Sequence, residues 1–215
     1  MLKRFFIFGD SYSTFKDYIP DGFAYYYSVE GDPEKPVKKM TVKDTWWKQL
    51  IDKTGATLVQ NNSWSGSTIC YTGLKGDDCS TTSSFIYRLQ LLKNSNYFEE
   101  NPVDTLFVFG ATNDNWGLSP LGEEKYSDWE KQDLYNVLPA VSYFINDLKN
   151  TLPNTRIIFI INTEFKPQLV KTIKTSCELY GAEYIELSPF EKQMGHPNPK
   201  GMKQICDQVI EYLKK

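Results

Sequence analysis

Short apolar runs recur along the chain, each bounded by glycine, proline or polar residues. The first, Phe5-Phe6-Ile7-Phe8, ends at Gly9. Runs of this length, rich in Ile, Val and Phe, are typical of strands buried on both faces of a sheet. We therefore predict five strands, over residues 4–8, 57–60, 105–109, 156–161 and 183–187.

Longer stretches with helical spacing of their apolar positions lie between these strands. The last stretch has clear boundary signals, because Asn198 can cap its N-terminus and Pro199 suits the first helical position. Strands that alternate with helices form a parallel sheet with helices on both faces, so the pattern predicts a three-layer α/β/α fold. The predicted helices cover residues 42–53, 84–93, 128–150, 167–180 and 199–213.

One segment, residues 17–43, interrupts this alternation. It carries glycines and prolines on both sides of the aromatic run 23–27. We expect a long loop or small hairpin over the strand ends, and loops of this length are often functional. Because no repeat or linker divides the chain, residues 1–215 are predicted to form a single domain with an insertion at about 17–43.

Small and polar residues follow four of the strands, at the edge where open α/β sheets bind ligands. We expect the flavodoxin-like strand order 2-1-3-4-5, in which the first strand lies between the second and third, with neighbours ~4.8 Å apart. Ser11, Gly66 and Asn113 then surround one point. The connection from Ser188 to His196 can span roughly 30 Å when extended, so His196 can reach Ser11.

Serine and histidine at one point indicate nucleophilic catalysis. A serine hydroxyl is a poor nucleophile until an adjacent base removes its proton, and His196, the single histidine of the chain, can serve Ser11 in this way. An acyl-transfer transition state also needs donors aimed at the developing oxyanion. The N–H groups of Ser11 and Gly66 and the side-chain amide of Asn113 can supply them, and a glycine lets the substrate approach closely.

These residues lie in four short blocks that resemble those of the SGNH, or GDSL-like, hydrolase family. The resemblance runs from Gly9 to Met202, and its strength comes from the order of the blocks and their positions after successive strands. The blocks are Phe8-Gly9-Asp10-Ser11, Asn61-Asn62-Ser63-Trp64-Ser65-Gly66, Gly110-Ala111-Thr112-Asn113-Asp114 and His196-Pro197-Asn198.

The resemblance implies a fold and a set of roles. The fold is the flavodoxin-like, three-layer SGNH hydrolase fold with a five-stranded parallel sheet. Ser11 is then the nucleophile and His196 the base, while Gly66 and Asn113 are oxyanion donors. The implied reaction is hydrolysis of a carboxylic ester through an acyl-enzyme, with no metal and no cofactor.

Two positions depart from the family pattern. The family usually has aspartate three residues before the histidine, and this chain has Gln193 there. We therefore expect a Ser11–His196 dyad, with Gln193 or Glu191 as the possible third member that orients the imidazole. An amide or a backbone carbonyl can accept the Nδ1 proton but stabilises the imidazolium less than a carboxylate does. The milder departure is Ala111, where the family has glycine.

Charge and composition narrow the possible partners. The 24 Lys and Arg against 27 Asp and Glu give a net charge of −3, and no basic block could neutralise phosphates, so we do not expect nucleic acid binding. Aromatic residues make up 15%, more than a core alone usually requires. Trp64 and Trp116 adjoin Gly66 and Asn113 and are candidates for contact with a small-molecule ester substrate.

The cysteines and the N-terminal residues indicate where in the cell the protein is located. The four cysteines are scattered, without a C-x-x-C pair, which favours a reduced, cytoplasmic protein. The apolar run at 5–8 is shorter than a signal peptide requires, and no window approaches the about 18 apolar residues of a membrane span. The sequence does not indicate the oligomeric state.

The sequence is compatible with more than one class of substrate. A polar, aromatic-rich mouth without a long apolar cover favours short acyl groups, such as acetyl on a carbohydrate. A lysophospholipase or thioesterase of the same family is an alternative. A non-catalytic carbohydrate-binding descendant is another, favoured by Gln193 and disfavoured by the intact Ser11–His196 pair.

Overall fold

The computed structural model describes residues 2–31 and 40–214. Its centre is a five-stranded parallel sheet. The strands are β1 (Arg4–Gly9), β2 (Thr57–Ser63), β3 (Thr105–Phe109), β4 (Arg156–Ile161) and β5 (Glu183–Glu186). They lie in the order 2-1-3-4-5, so that Ile7 of β1 pairs with Asn61 of β2 and Phe107 of β3.

Each strand contributes to two cores, because successive side chains point to opposite faces of the sheet. In β1, Phe6 and Phe8 pack on one face, whereas Phe5 and Ile7 pack on the other. All four side chains are fully buried. This two-sided burial explains why the strands are continuous apolar runs and do not alternate with polar residues.

Helices cover both faces of the sheet. The described residues form α1 (Trp46–Thr54), α2 (Phe85–Asn94), α3 (Tyr97–Glu100), α4 (Thr112–Trp116), α5 (Val137–Thr151), α6 (Pro167–Tyr180) and α7 (Pro199–Leu213). Helices α2, α5 and α6 pack over Phe6 and Phe8, and α1 and α7 pack over Phe5 and Ile7. The predicted three-layer α/β/α fold and the predicted strand order are therefore confirmed.

The helix predicted over 128–150 is wrong in its first part. Residues Lys131–Tyr135 form a 3-10 helix, and α5 begins only at Val137. Asn136 between them has extended dihedral angles (φ −110°, ψ 142°) and so interrupts the helix. The apolar periodicity runs through this break, which is why the pattern alone did not locate it.

Two further boundaries differ from the prediction by three residues or more. The first helix, predicted over 42–53, begins at Trp46, because Thr45 is extended and its side chain accepts the N–H of Lys48 as an N-cap. The second strand continues to Ser63, three residues beyond the predicted end. Its polar last residues therefore belong to the sheet and do not follow it.

Part of the predicted insertion at 17–43 lies outside the described residues, namely 32–39. Residues 17–31 form turns, bends and irregular segments. The Ser65 N–H donates to the Ala24 carbonyl at 2.8 Å, and the carbonyl of Tyr27 accepts from the Lys16 N–H at 2.9 Å. These bonds fix the aromatic run to the segments that follow β1 and β2.

Two further structural features concern membrane insertion and the cysteine thiols. Among the described residues, none of the helices has the length and apolar character to cross a membrane. All four cysteines are buried free thiols. Burial raises the pKa of Cys206 to about 11 and that of Cys177 to about 12, so these thiols stay protonated at neutral pH.

Ala111 connects β3 to α4 in a left-handed conformation, with φ 69° and ψ 0°. Its methyl group is fully buried. Residues with a Cβ pay about 1–2 kcal/mol in this region, which glycine does not. The family's glycine at this position therefore has a conformational reason, and alanine here is strained.

We expect Ala111→Gly to raise the free energy of unfolding by about 0.5–1 kcal/mol, since relief of the backbone strain exceeds the entropy that glycine adds to the unfolded chain. Urea denaturation measures the change. Ala140→Gly, at a buried position inside α5, is the control and should destabilise the protein. A destabilising Ala111→Gly would show that packing of the methyl group outweighs the strain.

Candidate active site

Ser11 lies in the tight turn that follows β1. The Asp10 side chain accepts the Tyr12 N–H at 3.0 Å and so shapes the turn. Gly9 is required before it, because a Cβ there would collide with the Ser63 hydroxyl of β2. The chain thus turns sharply at the carboxyl edge of the sheet and presents the Ser11 hydroxyl there.

The structure brings His196 directly to Ser11. The Nε2 atom of His196 lies 3.0 Å from Ser11 Oγ, and Nδ1 lies 3.3 Å from the Met194 carbonyl oxygen. When Nδ1 carries the proton and donates it to that carbonyl, the Nε2 lone pair faces the serine hydroxyl. This is the tautomer that a general base needs.

Two tyrosine hydroxyls hold the segment that carries His196. Tyr12 donates to the carbonyl of Gly195 at 2.5 Å, and Tyr27 donates to the carbonyl of Pro197 at 2.8 Å. Burial holds the pKa of both phenols well above the ordinary value, so both remain donors across the physiological pH range. The backbone on each side of His196 is therefore tied to the turn of Ser11 and to the aromatic run.

Three aromatic rings surround the imidazole. Tyr26 stacks on it face to face, with ring centroids 3.6 Å apart and an interplanar angle of 7°. Tyr12 lies at 5.4 Å and a 56° tilt, and Trp116 at 6.3 Å with its edge towards the ring. Sequence reasoning anticipated Trp116 but missed both tyrosines, although the aromatic excess and the run at 23–27 indicated that rings do more than fill the core.

Gly66 lies in the segment after β2, which is bonded to the end of β1 through the Trp64 N–H and the Gly9 carbonyl at 3.1 Å. Its φ of +83° is in the region that favours glycine, and nothing lies within 4 Å of where a Cβ would be. The backbone conformation thus requires glycine here, in addition to the predicted close approach of substrate. The neighbouring Trp64 packs against Phe23, with ring centroids 4.3 Å apart.

Asn113 and Asp114, at the start of α4, bond to the segment after β2. One amide hydrogen of Asn113 is donated to the Ser67 carbonyl at 2.8 Å. The Asp114 carboxylate accepts the N–H groups of Ile69 at 2.9 Å and Cys70 at 3.1 Å. These bonds place the Asn113 amide beside the segment that contains Gly66.

The two residues expected to orient His196 lie in different surroundings. Gln193 is directly opposite His196 in a two-residue antiparallel ribbon of β6 (Lys192–Gln193) and β7 (His196–Pro197). The carboxylate of Glu191 binds Lys200 Nζ at 2.5 Å and accepts from Asn198 Nδ2 at 3.0 Å. Glu191 therefore supports the start of α7.

A buried arginine, which sequence reasoning missed, lies beneath the site. The Arg88 side chain donates to the carbonyls of Gly9 and Asn62 and to the Ser67 hydroxyl. Its guanidinium stacks 4.3 Å above the Phe85 ring. Burial lowers the pKa of Arg88 to about 9, so the group still carries its charge at neutral pH. Its position in the middle of α2 gave no sequence signal for this role.

Asp10 and Asp114 are fully buried carboxyl groups close to the site. Burial raises the pKa of Asp10 to about 6, with a smaller contribution from the charge of Asp114. Burial raises the pKa of Asp114 as well. Within the parts of the chain that the structure describes, no three His, Cys, Asp or Glu side chains are grouped as a metal site would need.

Comparison with known proteins places this arrangement in a family. A family model of GDSL-like lipases and acylhydrolases matches residues 3–213. A crystal structure described as a GDSL-like lipase from Bacteroides ovatus is 39% identical, with a TM-score of 0.89 over 100% of this chain and 99% of that chain. A similar one from Bacteroides uniformis is 38% identical, with a TM-score of 0.88 over 99% and 96%. No curated protein sequence shows significant similarity to the chain.

A more distant structural neighbour is an acetyl xylan esterase from the rumen bacterium Butyrivibrio proteoclasticus. It is 15% identical, with a TM-score of 0.63 over 99% of this chain and 63% of that chain, and so shares the fold alone. The fold and the family model together define an ester hydrolase. The chain belongs to the GDSL-like lipase/acylhydrolase family.

The raised pKa of Asp10 predicts a pH-dependent stability. Between about pH 4 and 6 the folded state keeps a proton on Asp10 that the unfolded state has lost. As pH rises through this window, the free energy of unfolding of the wild type should therefore fall relative to that of Asp10→Asn, by about 2–3 kcal/mol in total. Above about pH 6 the difference between the two proteins should become constant.

Urea unfolding of both proteins at a series of pH values measures this difference. Asp207→Asn is the control of opposite sign, since ion pairs with Lys203 and Lys53 lower the pKa of Asp207. The ion pairs of Asp207 stabilise the folded state at pH values above the pKa that Asp207 has in the unfolded chain. This stabilisation is lost as pH falls through the lower pKa of Asp207 in the folded state. If the difference in unfolding free energy between the wild type and Asp10→Asn does not change across this window, the Asp10 carboxyl group is ionised throughout.

Proposed function

We propose that the chain hydrolyses carboxylic esters through an acyl-enzyme formed on Ser11. The observation that carries this proposal is the 3.0 Å contact between Ser11 Oγ and His196 Nε2. In the proposed reaction Ser11 Oγ attacks the ester carbonyl carbon while His196 takes the hydroxyl proton. The tetrahedral intermediate then expels the alcohol, which receives that proton from His196.

The second half of the reaction repeats these steps with water. His196 removes a proton from a water molecule, whose oxygen attacks the acyl carbon. The intermediate releases the carboxylic acid, and Ser11 Oγ regains its proton from His196. The contact of Nδ1 with the Met194 carbonyl supports this role, because it keeps Nε2 as the basic nitrogen in both steps.

In the same proposal, three donors stabilise the oxyanion. They are the N–H groups of Ser11 and Gly66 and the side-chain amide of Asn113. The bond from Asn113 to the Ser67 carbonyl uses one amide hydrogen and leaves the other for substrate. Because the amide is held by that bond before substrate arrives, it needs no reorganisation as the charge develops.

We also propose which residue takes the place of the third triad member and orients His196. Of the two candidates, Gln193 has the better position, since it pairs with His196 across the β6–β7 ribbon. The described contacts of Glu191 are directed to Lys200 and Asn198. We therefore retain Gln193 as the residue that assists the Met194 carbonyl in orienting the imidazole.

For the substrate, we propose a short acyl group such as acetyl on a carbohydrate. Trp116 supports this, because it lies beside His196 and 42% of its surface is exposed to a substrate. Trp64 is half-buried against Phe23 and offers a smaller surface.

We also propose that the protein is cytoplasmic.

A lysophospholipase or thioesterase is the second candidate. Leu118 and Met194 favour it, because both are close in sequence to site residues and are exposed by 74% and 66%. Apolar side chains exposed near a catalytic serine are suited to a longer acyl chain. The two candidates differ in the acyl length that they predict.

Covalent labelling tests the proposed nucleophile. A fluorophosphonate should add once to the wild-type protein, because an activated serine attacks phosphorus as it attacks a carbonyl, and Ser11→Ala should remain unlabelled. Intact mass and peptide mapping give the readout. Ser65→Ala, a serine of the same site segment, should be labelled like the wild type. A folded wild type that takes up no label would favour the carbohydrate-binding descendant.

A panel of p-nitrophenyl esters of increasing chain length tests the proposed substrate. We expect kcat/KM to be highest for acetyl or butyryl esters and to fall for acyl chains of about ten carbons or more, because the methylenes that extend beyond a short-acyl site stay in water and add no binding energy. Leu118→Ser should leave the short-chain rates unchanged. A maximum at the long chains, lost in Leu118→Ser, would favour the lipid or thioester candidate.

A further inference from the structure

We propose that Tyr26 is a positioning residue for the Ser11–His196 pair. Its ring fixes the plane of the imidazole and stabilises the positive charge that His196 acquires when it takes the serine proton. This inference rests on the proposed acyl-enzyme reaction, and it assigns a role to a residue outside the four sequence blocks.

The geometry of the stack carries the argument. With ring centroids 3.6 Å apart and an interplanar angle of 7°, the two rings lie almost directly over each other. This face-to-face arrangement is unfavourable for two neutral aromatic rings, because their negative faces meet. A cation over the face of a tyrosine ring is instead attracted by it. The stack therefore favours the imidazolium over the neutral imidazole, and so the transition state over the ground state.

The position of Tyr26 is set by the same turn that carries the serine. The Thr14 hydroxyl donates to the Ser11 carbonyl at 3.1 Å and accepts the N–H of Tyr26 at 2.9 Å. Thr14 is fully buried, so this link is shielded from water. The ring of Tyr26 and the hydroxyl of Ser11 are thus held on one framework, with His196 between them.

The adjacent residue strengthens this framework. Tyr27 packs edge-on against Tyr26, with ring centroids 4.9 Å apart, and its hydroxyl donates to the Pro197 carbonyl. The loop therefore holds the backbone next to His196 and its ring at the same time. Rotation of the imidazole about its χ2 angle would break the stack, so the Nε2 atom stays directed at Ser11.

The charge on the imidazolium needs this support because a glutamine, Gln193, occupies the position of the family's aspartate. Tyr12 covers another side of the imidazole. Beyond Tyr12 lies Lys192, which is paired with Glu164 at 3.1 Å. These groups are the same in the wild type and in Tyr26 variants, so their effects cancel when the variants are compared.

The pKa of His196 can be measured without any assay of activity, because it is the single histidine of the chain. NMR titration of histidine-labelled protein should give a pKa lower by about 0.4 to 1 unit in Tyr26→Leu than in the wild type. Leucine retains an apolar cover over the imidazole and removes the π face. Tyr26→Phe keeps that face and should titrate close to the wild type.

The rates of the Tyr26 variants should change in the same order as the pKa of His196. Tyr26→Leu should lower kcat by about three- to tenfold with little change in KM, and the acid limb of kcat/KM should move to lower pH. Tyr26→Phe should restore most of the rate. Tyr25→Leu changes the exposed neighbouring ring and should leave both the rate and the pKa unchanged.

Some outcomes would overturn the role of Tyr26 alone. They are an unchanged or higher His196 pKa in Tyr26→Leu, or a kcat within twofold of the wild type, while the wild type is active and is labelled at Ser11. Tyr26→Met gives the same comparison if the leucine variant does not fold. Absence of labelling and activity in the wild type would instead remove the acyl-enzyme reaction and, with it, the catalytic role of the stack.

Discussion

The buried guanidinium of Arg88 is the interaction on which the arrangement of the site depends. Gly9 and Asn62 are buried at the ends of β1 and β2, and their carbonyls accept hydrogen bonds there, that of Gly9 also from the Trp64 N–H. One guanidinium supplies donors to both of them and to the Ser67 hydroxyl. Burial of its charge is costly, but these bonds and the Phe85 ring offset that cost. The segments of Ser11 and Gly66 are therefore fixed relative to each other.

From this point the hydrogen bonds extend to the rest of the site. Ser67, whose hydroxyl binds Arg88, accepts the Asn113 amide at its carbonyl. On the other side, the Ser11 carbonyl is joined through Thr14 to Tyr26. Each segment is thus oriented by a neighbouring segment of the site. A site built in this way keeps its geometry before substrate binds, which is what electrostatic stabilisation of a transition state requires.

The sequence predicted those features that depend on local pattern or on topology. Strands buried on both faces are apolar runs, and the strand order 2-1-3-4-5 is one of the common orders of doubly wound α/β sheets. The order then brings Ser11, Gly66 and Asn113 to one edge. The break at Asn136 was missed because its cause lies in one pair of backbone angles. The role of Arg88 was missed because Gly9, Asn62 and Ser67, which it joins, are 21 to 79 residues away along the chain.

The aromatic contacts of His196 could not be predicted for a related reason. The segment that carries it is irregular, with left-handed angles at Met194 and Gly195, and no periodicity describes such a path. What holds it are hydroxyls and a ring from Tyr12 and the aromatic run 23–27, far away along the sequence. A carbonyl at Nδ1 orients the imidazole but stabilises its charge less than a carboxylate would. In the proposed mechanism, two tasks that one aspartate performs in the usual triad are thus separated: hydrogen bonds orient the base, and an aromatic face supports its charge.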